Sequence, residues 1–297
     1  MSTVSVVPFA NSYIYVAPNT SCAYMQSGSL VLRTTDGVAF TQTGERPSDF
    51  SRLVGSRSPT ALFARDNRFS ALYVSGNGGA SWDLYDVPVD ASNYLLFTSA
   101  ARVLLYYPSS SQIFASANDG QSWTASTSTD VAEIVAVPSG FYMVSANRLA
   151  VQYSTDGINW QAVPSDAPIA QLQSATSSGE VFVAAQQGYL STLAVVKNGR
   201  LTSIEAPTAR FDRYGLAAVR VGDGVLVIDP SSQSYIAYAT LDAAPEALTD
   251  VTFTVPQPGG PVGARVFSTD SYLEFTPSGG GVSSLFWAAL TKAYETP

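Results

Sequence analysis

The feature that most constrains the fold of this 297-residue chain is a turn that recurs at a regular spacing. Each copy has a hydroxyl residue, any residue, Asp or Asn, glycine within two positions, and then an aromatic residue. The Asp or Asn positions lie 41, 41 and 38 residues apart, and a weaker fifth copy at Asn198 follows 42 residues later. This spacing indicates a chain built from repeated structural units. The four clear copies contain Asp36, Gly37 and Phe40; Asn77, Gly79 and Trp82; Asn118, Gly120 and Trp123; and Asp156, Gly157 and Trp160.

The residue types of this turn predict a structural role. The Asp or Asn side chain accepts backbone N–H bonds, the glycine adopts a positive φ, and the aromatic residue opens the next strand by packing onto the sheet. Asn replaces Asp in two of the four copies. An amide can act as a hydrogen-bond acceptor, but it cannot replace a charged metal ligand or a general acid. We therefore predict that the turns hold hairpins and do no chemistry.

The segments between the turns predict an all-β fold. In the third unit, alternating or apolar runs cover residues 94–98, 102–107 and 112–116 before the turn and residues 123–126 after it. Four strands in about forty residues, without a helical period, are typical of a β-propeller blade. The length predicts one domain over residues 1–297 with seven blades, and six blades is the alternative. Residues 4–9 fit no blade, while the last unit has three strands, so the N-terminal strand is expected to complete that blade and close the ring.

These turns resemble the Asp-box, also called the BNR repeat. Asp-box turns occur in sialidase-like propellers, photosystem assembly factors, sortilin-type receptors, some glycoside hydrolases and many bacteriophage structural proteins. The resemblance covers residues 34–200 strongly and the rest by period only, and it implies a fold without fixing a function. Sialidases of this family need an arginine triad, a Tyr/Glu pair and a FRIP-like motif ahead of the first turn. Arg33 merges directly into the first turn and no such motif precedes it, so sialidase activity is not expected.

Composition excludes several classes of function. The 23 acidic residues exceed the 15 basic ones, and the formal charge of −8 disfavours binding to nucleic acid or to anionic membranes. Histidine is absent, which excludes Ser-His-Asp and Cys-His catalysis and His-ligated zinc or haem. Cys22 is the only cysteine, so it is expected to be a buried thiol without an intrachain disulfide. We expect no cofactor, no metal, no secretion signal and no membrane insertion.

Two sets of charged residues are candidates for binding. An aspartate stands at five of the connections where one predicted blade leads to the next. These five carboxylates are predicted to ring the mouth of the central channel on the face opposite the turns, where they could bind a cation or a basic element of a partner. The alternative is that each aspartate only starts a turn or a strand. These are Asp49, Asp90, Asp130, Asp166 and Asp212. Five of the 13 arginines fall in one predicted blade and its entry loop. They could form a patch that contacts a partner protein, and the alternative is a solvated face with local ion pairs. These are Arg46, Arg52, Arg57, Arg65 and Arg68.

Three functional classes stay open. The abundance of small and hydroxyl residues, together with 13 arginines against two lysines, resembles bacteriophage virion proteins that carry Asp-box propellers. The favoured hypothesis is a non-enzymatic tail- or capsid-associated platform, made in the host cytoplasm, that binds other virion proteins and copies of itself around a symmetry axis. The alternatives are a propeller that binds a host-surface glycan or protein, and a glycoside hydrolase using carboxylates such as Asp83, Asp86 and Asp90.

Overall fold

The structure is a computed structural model in which strands are the regular elements of the described residues. It describes residues 5–8, 14–16, 22–35, 40–89, 93–127, 131–148, 150–164, 169–175, 181–187, 190–197, 200–204, 217–221, 224–229, 234–238, 246–247, 261–266, 273–277 and 284–287. No helix in this part of the chain is long and apolar enough to cross a membrane. The first turn at Asp36 and Gly37, and the weaker copy at Asn198, lie outside the described residues.

The chain forms twenty-eight strands in these segments. In chain order they are β1 Ser5–Pro8, β2 Ile14–Val16, β3 Ala23–Ser27, β4 Leu30–Thr34, β5 Thr41–Glu45, β6 Phe50–Ser56, β7 Leu62–Asp66, β8 Ala71–Ser75, β9 Asp83–Asp86, β10 Leu95–Thr98, β11 Val103–Tyr107, β12 Gln112–Ser116, β13 Thr124–Ala125, β14 Glu133–Val137, β15 Gly140–Val144, β16 Val151–Ser154, β17 Gln161–Val163, β18 Ile169–Ala175, β19 Val181–Gln187, β20 Leu190–Lys197, β21 Arg200–Ile204, β22 Ala217–Val221, β23 Gly224–Asp229, β24 Ser234–Tyr238, β25 Glu246–Ala247, β26 Pro261–Val266, β27 Leu273–Pro277 and β28 Ser284–Trp287.

The chain divides into two compact units, of which one is Ser12–Val163. This unit contains four antiparallel sheets, each made of four strands that are consecutive in the chain. We number them sheet 1 (β2–β5), sheet 2 (β6–β9), sheet 3 (β10–β13) and sheet 4 (β14–β17). Each of the three described turns joins the third strand of a sheet to its fourth strand. The all-β class and the four-stranded unit predicted from the sequence are therefore confirmed.

The sheets of this unit pack face to face through their middle strands. In β11, Val103, Leu105 and Tyr107 lie in the cluster shared with sheet 2, whereas Leu104 and Tyr106 lie in the cluster shared with sheet 4. Successive side chains of a strand point to opposite faces, so a strand covered on both faces must be apolar at every position. All five residues of β11 are buried for this reason. The fourth strands lie at the edge, and β9 has exposed residues at three of its four positions.

The other unit comprises Met1–Asn11 and Pro164–Pro297. It contains two more four-stranded antiparallel sheets, β18–β21 and β22–β25, and two two-stranded pairs, β26 with β27 and β1 with β28. The N-terminal strand thus pairs with the last strand, with Ser5 opposite Trp287 and Pro8 opposite Ser284. The sequence predicts this pairing from the unassigned run at residues 4–9. One domain over residues 1–297 stays a prediction.

Candidate functional site

The recurring turns are the most highly organised polar feature of the described residues. In the turn after β8, the Oδ1 atom of Asn77 accepts the backbone N–H of Ser81 at 2.9 Å, and in the turn after β12 Asn118 accepts that of Ser122 at 3.0 Å. In the turn after β16, Oδ1 of Asp156 accepts two N–H groups, from Ile158 and Asn159, both at 2.8 Å. The structure therefore shows the bonds that the sequence expects of the Asp or Asn position.

A serine two residues before each Asp or Asn closes the turn from inside. The backbone N–H of the turn glycine donates to this serine hydroxyl at 2.8 Å in all three turns. Ser75, Ser116 and Ser154 are buried, and each hydroxyl also donates to the Asp or Asn side chain at 2.9 Å. The sequence pattern included a hydroxyl residue here but assigned it no role. Its recurrence at a fixed offset was the signal that could have revealed one.

The turns also dock onto the preceding sheet, which sequence reasoning missed. A Cβ atom built on Gly79 would lie 2.9 Å from the Val31 side chain of sheet 1, and one on Gly120 would lie 3.1 Å from Leu72 of sheet 2. The φ angles of these glycines are +94° and +90°. Both space and backbone conformation therefore require glycine. The turns join neighbouring sheets as well as closing their own hairpins.

The aromatic residue of each turn packs at the same junctions. Trp82 lies against the core between sheets 1 and 2, with its ring centroid 5.2 Å from that of Phe50. Trp123 packs against the core between sheets 2 and 3, and Trp160 against the core between sheets 3 and 4. The indole N–H of Trp160 donates to the Ser126 hydroxyl of sheet 3 at 2.9 Å. The residues of the repeat are thus used in holding the sheets together.

Hydrogen bonds in the fourth turn shift the pKa of the Asp156 carboxyl group. Partial burial raises the pKa of Asp156, but hydrogen bonds from the Asn159 and Ile158 backbone and from the Asn159 and Ser154 side chains outweigh burial and lower the pKa to about 2. These bonds favour the ionised form because a carboxylate is a better acceptor than a carboxylic acid. Asp156 is therefore charged when it accepts them at neutral pH.

One of the five aspartates of the predicted ring lies among the described residues. Asp49 is exposed directly before β6, and its backbone carbonyl accepts the N–H of Asn67 at 2.9 Å. The remaining four, Asp90, Asp130, Asp166 and Asp212, lie outside the described residues. Among the residues that the structure describes, no three His, Cys, Asp or Glu side chains are grouped so as to hold a metal ion. The ring stays a prediction.

The structure places two of the five clustered arginines apart. Arg57 directly follows β6, whereas Arg68 lies two residues after the end of the antiparallel neighbour β7, so the two lie at opposite ends of sheet 2. Arg52 and Arg65 are paired across β6 and β7, and the Arg65 guanidinium lies 4.1 Å from the centroid of the Phe69 ring. Arg46 donates to the Phe50 carbonyl at 2.6 Å. A partner patch formed by the five arginines stays a prediction.

Arg57 forms a bidentate ion pair that links sheets 2 and 3. Its Nε and Nη2 atoms donate to the two carboxylate oxygens of Asp119, each at 2.7 Å, and its Nη1 donates to the Ala100 carbonyl at 3.0 Å. The two side chains are 25% and 30% exposed. Asp119 has a φ of +56°, a backbone conformation that residues other than glycine rarely adopt. The ion pair therefore holds a strained residue of the third turn.

We expect this ion pair to contribute about 1 kcal/mol to the free energy of unfolding, because it is bidentate and partly shielded from water. A double-mutant cycle with Arg57→Ala and Asp119→Ala, followed by chemical denaturation, measures this coupling. Asp119→Gly removes the same pair but also relieves the backbone strain, so it should destabilise less than Asp119→Ala by about 1 kcal/mol. A coupling energy near zero would contradict the assigned role.

Two of the three candidate acid and base residues, Asp83 and Asp86, are not arranged to act together on one substrate. Asp83 and Asp86 are both exposed on the edge strand β9. Because they are three residues apart in a strand, their side chains point to opposite faces of sheet 2. Asp90 lies outside the described residues. The Cys22 thiol is buried, as the sequence predicts, and accepts a hydrogen bond from Arg33 Nε at 3.1 Å.

The chain matches no protein-family model, and no curated protein matches it significantly. Solved structures do match over nearly its whole length. YCF48 from Cyanidioschyzon merolae is 13% identical with a TM-score of 0.59, covering 96% of this chain and 98% of that chain. YCF48 bound to a D1 peptide is 12% identical with a TM-score of 0.58, covering 95% and 99%.

Two enzymes have similar structures. A catalytically inactive histidine-to-alanine variant of virginiamycin B lyase from Staphylococcus aureus, with quinupristin, is 10% identical with a TM-score of 0.61, covering 96% of this chain and 99% of that chain. A GH74 xyloglucanase from Xanthomonas campestris is 13% identical with a TM-score of 0.55, covering 97% of this chain and 56% of that chain. At these identities the similarities show the fold alone. The predicted β-propeller fold is confirmed, with both enzymes and a peptide-binding protein among the similar structures.

Proposed function

We propose that this chain is a non-catalytic β-propeller that serves as a protein-binding platform in a bacteriophage virion, associated with the tail or the capsid. The proposal that the chain is non-catalytic depends on one observation: the repeated polar residues bond within their own turns. In the described turns, the serine hydroxyls and the Asp or Asn side chains bond to the turns themselves. The described carboxylates Asp83 and Asp86 point to opposite faces of their sheet. Two carboxylates that act on one glycosidic bond must instead face the same substrate.

The proposed ring has seven blades. Six four-stranded sheets are consecutive in the chain, and β26, β27, β28 and β1 supply four further strands. The pairs β26–β27 and β1–β28 need only a junction between β27 and β28, which are in contact, to make one more four-stranded sheet. Closure by the N-terminal strand would pair the open edge of β28 and give the last blade the same four strands as the others, which limits aggregation. A rigid ring of this kind suits a platform.

The comparisons are compatible with binding and argue against one enzymatic alternative. YCF48, a propeller of similar structure, has been observed bound to a D1 peptide, so a fold of this kind can bind a protein segment. Virginiamycin B lyase is catalytically inactive when one histidine is replaced by alanine. The 297 residues of this chain contain no histidine. A lyase mechanism that needs an imidazole is therefore not open to it.

The virion assignment rests on composition and on the resemblance of the turns. The chain has 13 arginines against two lysines, one cysteine and no histidine, and its net charge is −8. Arginine favours planar bidentate contacts with protein groups, as Arg57 shows within this chain. The proposed partners are other virion proteins and copies of this chain around a symmetry axis.

Quantitative mass spectrometry of purified particles tests this proposal. We expect the chain to co-purify with particles through a density gradient at a fixed ratio to the major capsid protein. A chain that is absent from particles and abundant in the host cytosol would overturn the virion assignment. Saturable binding on a sugar array would instead support the glycan-binding alternative. Sugar-hydrolysing turnover that is lost on Asp83→Asn or Asp86→Asn would support the glycosidase.

A further inference from the structure

The three described junctions between neighbouring sheets differ in the charge of one acceptor. The turns that dock on sheets 1 and 2 use the neutral side chains of Asn77 and Asn118. The turn of sheet 4, which docks on sheet 3, uses the carboxylate of Asp156 in the same place. The junction between sheets 3 and 4 is thus the one of the three whose turn has a carboxylate at the Asp or Asn position.

The Asp156 carboxylate fixes the residue that bonds to sheet 3. Its Oδ1 atom accepts the N–H of Ile158 at 2.8 Å. The carbonyl oxygen of Ile158 in turn accepts the backbone N–H of Thr127 at 3.1 Å, the Thr127 hydroxyl at 3.0 Å and the Ser126 hydroxyl at 3.1 Å. Ser126 also accepts the indole N–H of Trp160. A change at the carboxylate therefore reaches the hydrogen bonds between the two sheets through one residue.

We propose that the junction between sheets 3 and 4 is an acid-sensitive joint, which loosens when Asp156 is protonated while the junction between sheets 1 and 2 holds. Protonation turns one carboxylate oxygen into an O–H group, which is a much weaker hydrogen-bond acceptor than a carboxylate oxygen. Oδ1 accepts from Ile158, Asn159 and Ser154, and Oδ2 accepts the Asn159 side-chain amide at 2.9 Å. Protonation of either oxygen therefore weakens at least one of these hydrogen bonds.

The sign of the pH dependence follows from the direction of the pKa shift. The pKa of Asp156 is lowered from the usual 3.8 to about 2. A lowered pKa in the folded state means that the contribution to stability is present above the unfolded value and is lost as the pH falls through the folded one. The joint is therefore closed at neutral pH and loosens as the pH falls from about 3.8 towards about 2.

The groups that face this turn do not supply a competing charge. The side chains nearest to Gly157 are Leu104, Ala115 and Phe141, from β11, β12 and β15. Ser126 and Thr127, which follow β13, are polar but uncharged, and the Tyr153 hydroxyl on the turn's own strand bonds to the Ser139 carbonyl. Asp119, another carboxylate at a described junction, pairs with Arg57 between sheets 2 and 3.

Nuclear magnetic resonance of the indole N–H groups tests the proposal in the full-length protein. The signals of Trp82, Trp123 and Trp160 report on the three junctions separately. From pH 7 to pH 2 we expect the Trp160 signal to shift or broaden with a midpoint below 3.8, while the Trp82 signal stays in place. In Asp156→Asn, which copies the neutral side chain of the other turns, the Trp160 signal should stay in place over the same range. Asp119→Asn is the matched control, and it should leave the Trp160 titration unchanged.

Three outcomes would overturn the proposal. Equal movement of the Trp82 and Trp160 signals would show general acid expansion, and so would unfolding of wild type and Asp156→Asn at the same pH. A Trp160 signal that stays constant down to pH 2 would show that the carboxylate does not control the joint. If Asp156→Asn alone disturbs the turn at pH 7, the double variant Asp156→Asn/Asn159→Ser, which restores a Ser partner for the Asn side chain, replaces it in the comparison.

Discussion

Gly44→Ala is expected to lower the free energy of unfolding by about 3 kcal/mol or more. Gly44 lies on β5 of sheet 1, where the turn of sheet 2 crosses it. A Cβ atom on Gly44 would be 2.0 Å from the backbone oxygen of Gly79 and 2.8 Å from its carbonyl carbon. Both are main-chain atoms, so no side-chain rotation can relieve the overlap. Sheets 1 and 2 would have to separate, and their shared core would be opened.

Gly76→Ala is the matched control for this prediction. Gly76 lies in the same turn that approaches Gly44, but a Cβ atom there would have no heavy atom within 4 Å. Both substitutions reduce the freedom of the unfolded chain to a similar extent, so that contribution cancels in the comparison. Denaturant titrations of the two variants and the wild type measure the difference. Equal stability of Gly44→Ala and Gly76→Ala would show that the turn does not press on sheet 1.

The repeat and its strands could be read from the sequence because both are local. The period of the Asp or Asn positions gave the unit, and the apolar runs gave strands close to those observed; residues 112–116, for example, are β12. The predicted run at residues 102–107 likewise contains β11, Val103–Tyr107. Hydrogen bonds within one turn could also be predicted, because a side chain that bonds two to four residues away has few other partners.

Contacts between sheets could not be predicted in the same way. Gly44 meets Gly79 and Arg57 meets Asp119 only because successive sheets stack face to face. No pattern in the sequence marks these partners. Arg57 and Arg68 are close in sequence, but antiparallel strands carry them to opposite ends of sheet 2. Proximity in the chain is a poor guide to proximity in space wherever a strand separates two residues.

Phe50→Ala is expected to lower the free energy of unfolding by about 3–5 kcal/mol. The Phe50 side chain is fully buried in the core between sheets 1 and 2. Its ring contacts Trp82 edge to face at a centroid distance of 5.2 Å and lies 6.0 Å from Tyr73. Truncation leaves a cavity beside the aromatic residue of the second turn, so both transfer energy and ring packing are lost.

A milder variant and a surface variant sharpen this prediction. Phe50→Leu keeps most of the buried volume and should cost well under half as much as Phe50→Ala. Leu84→Ala removes a side chain that is 55% exposed on the edge strand of the same sheet, and it should change stability by less than about 1 kcal/mol. Denaturation followed by tryptophan fluorescence measures all three. If Phe50→Ala were no less stable than Leu84→Ala, the second turn would not depend on the core beneath it. Sheets 1 and 2 would then not pack through Phe50 and Trp82.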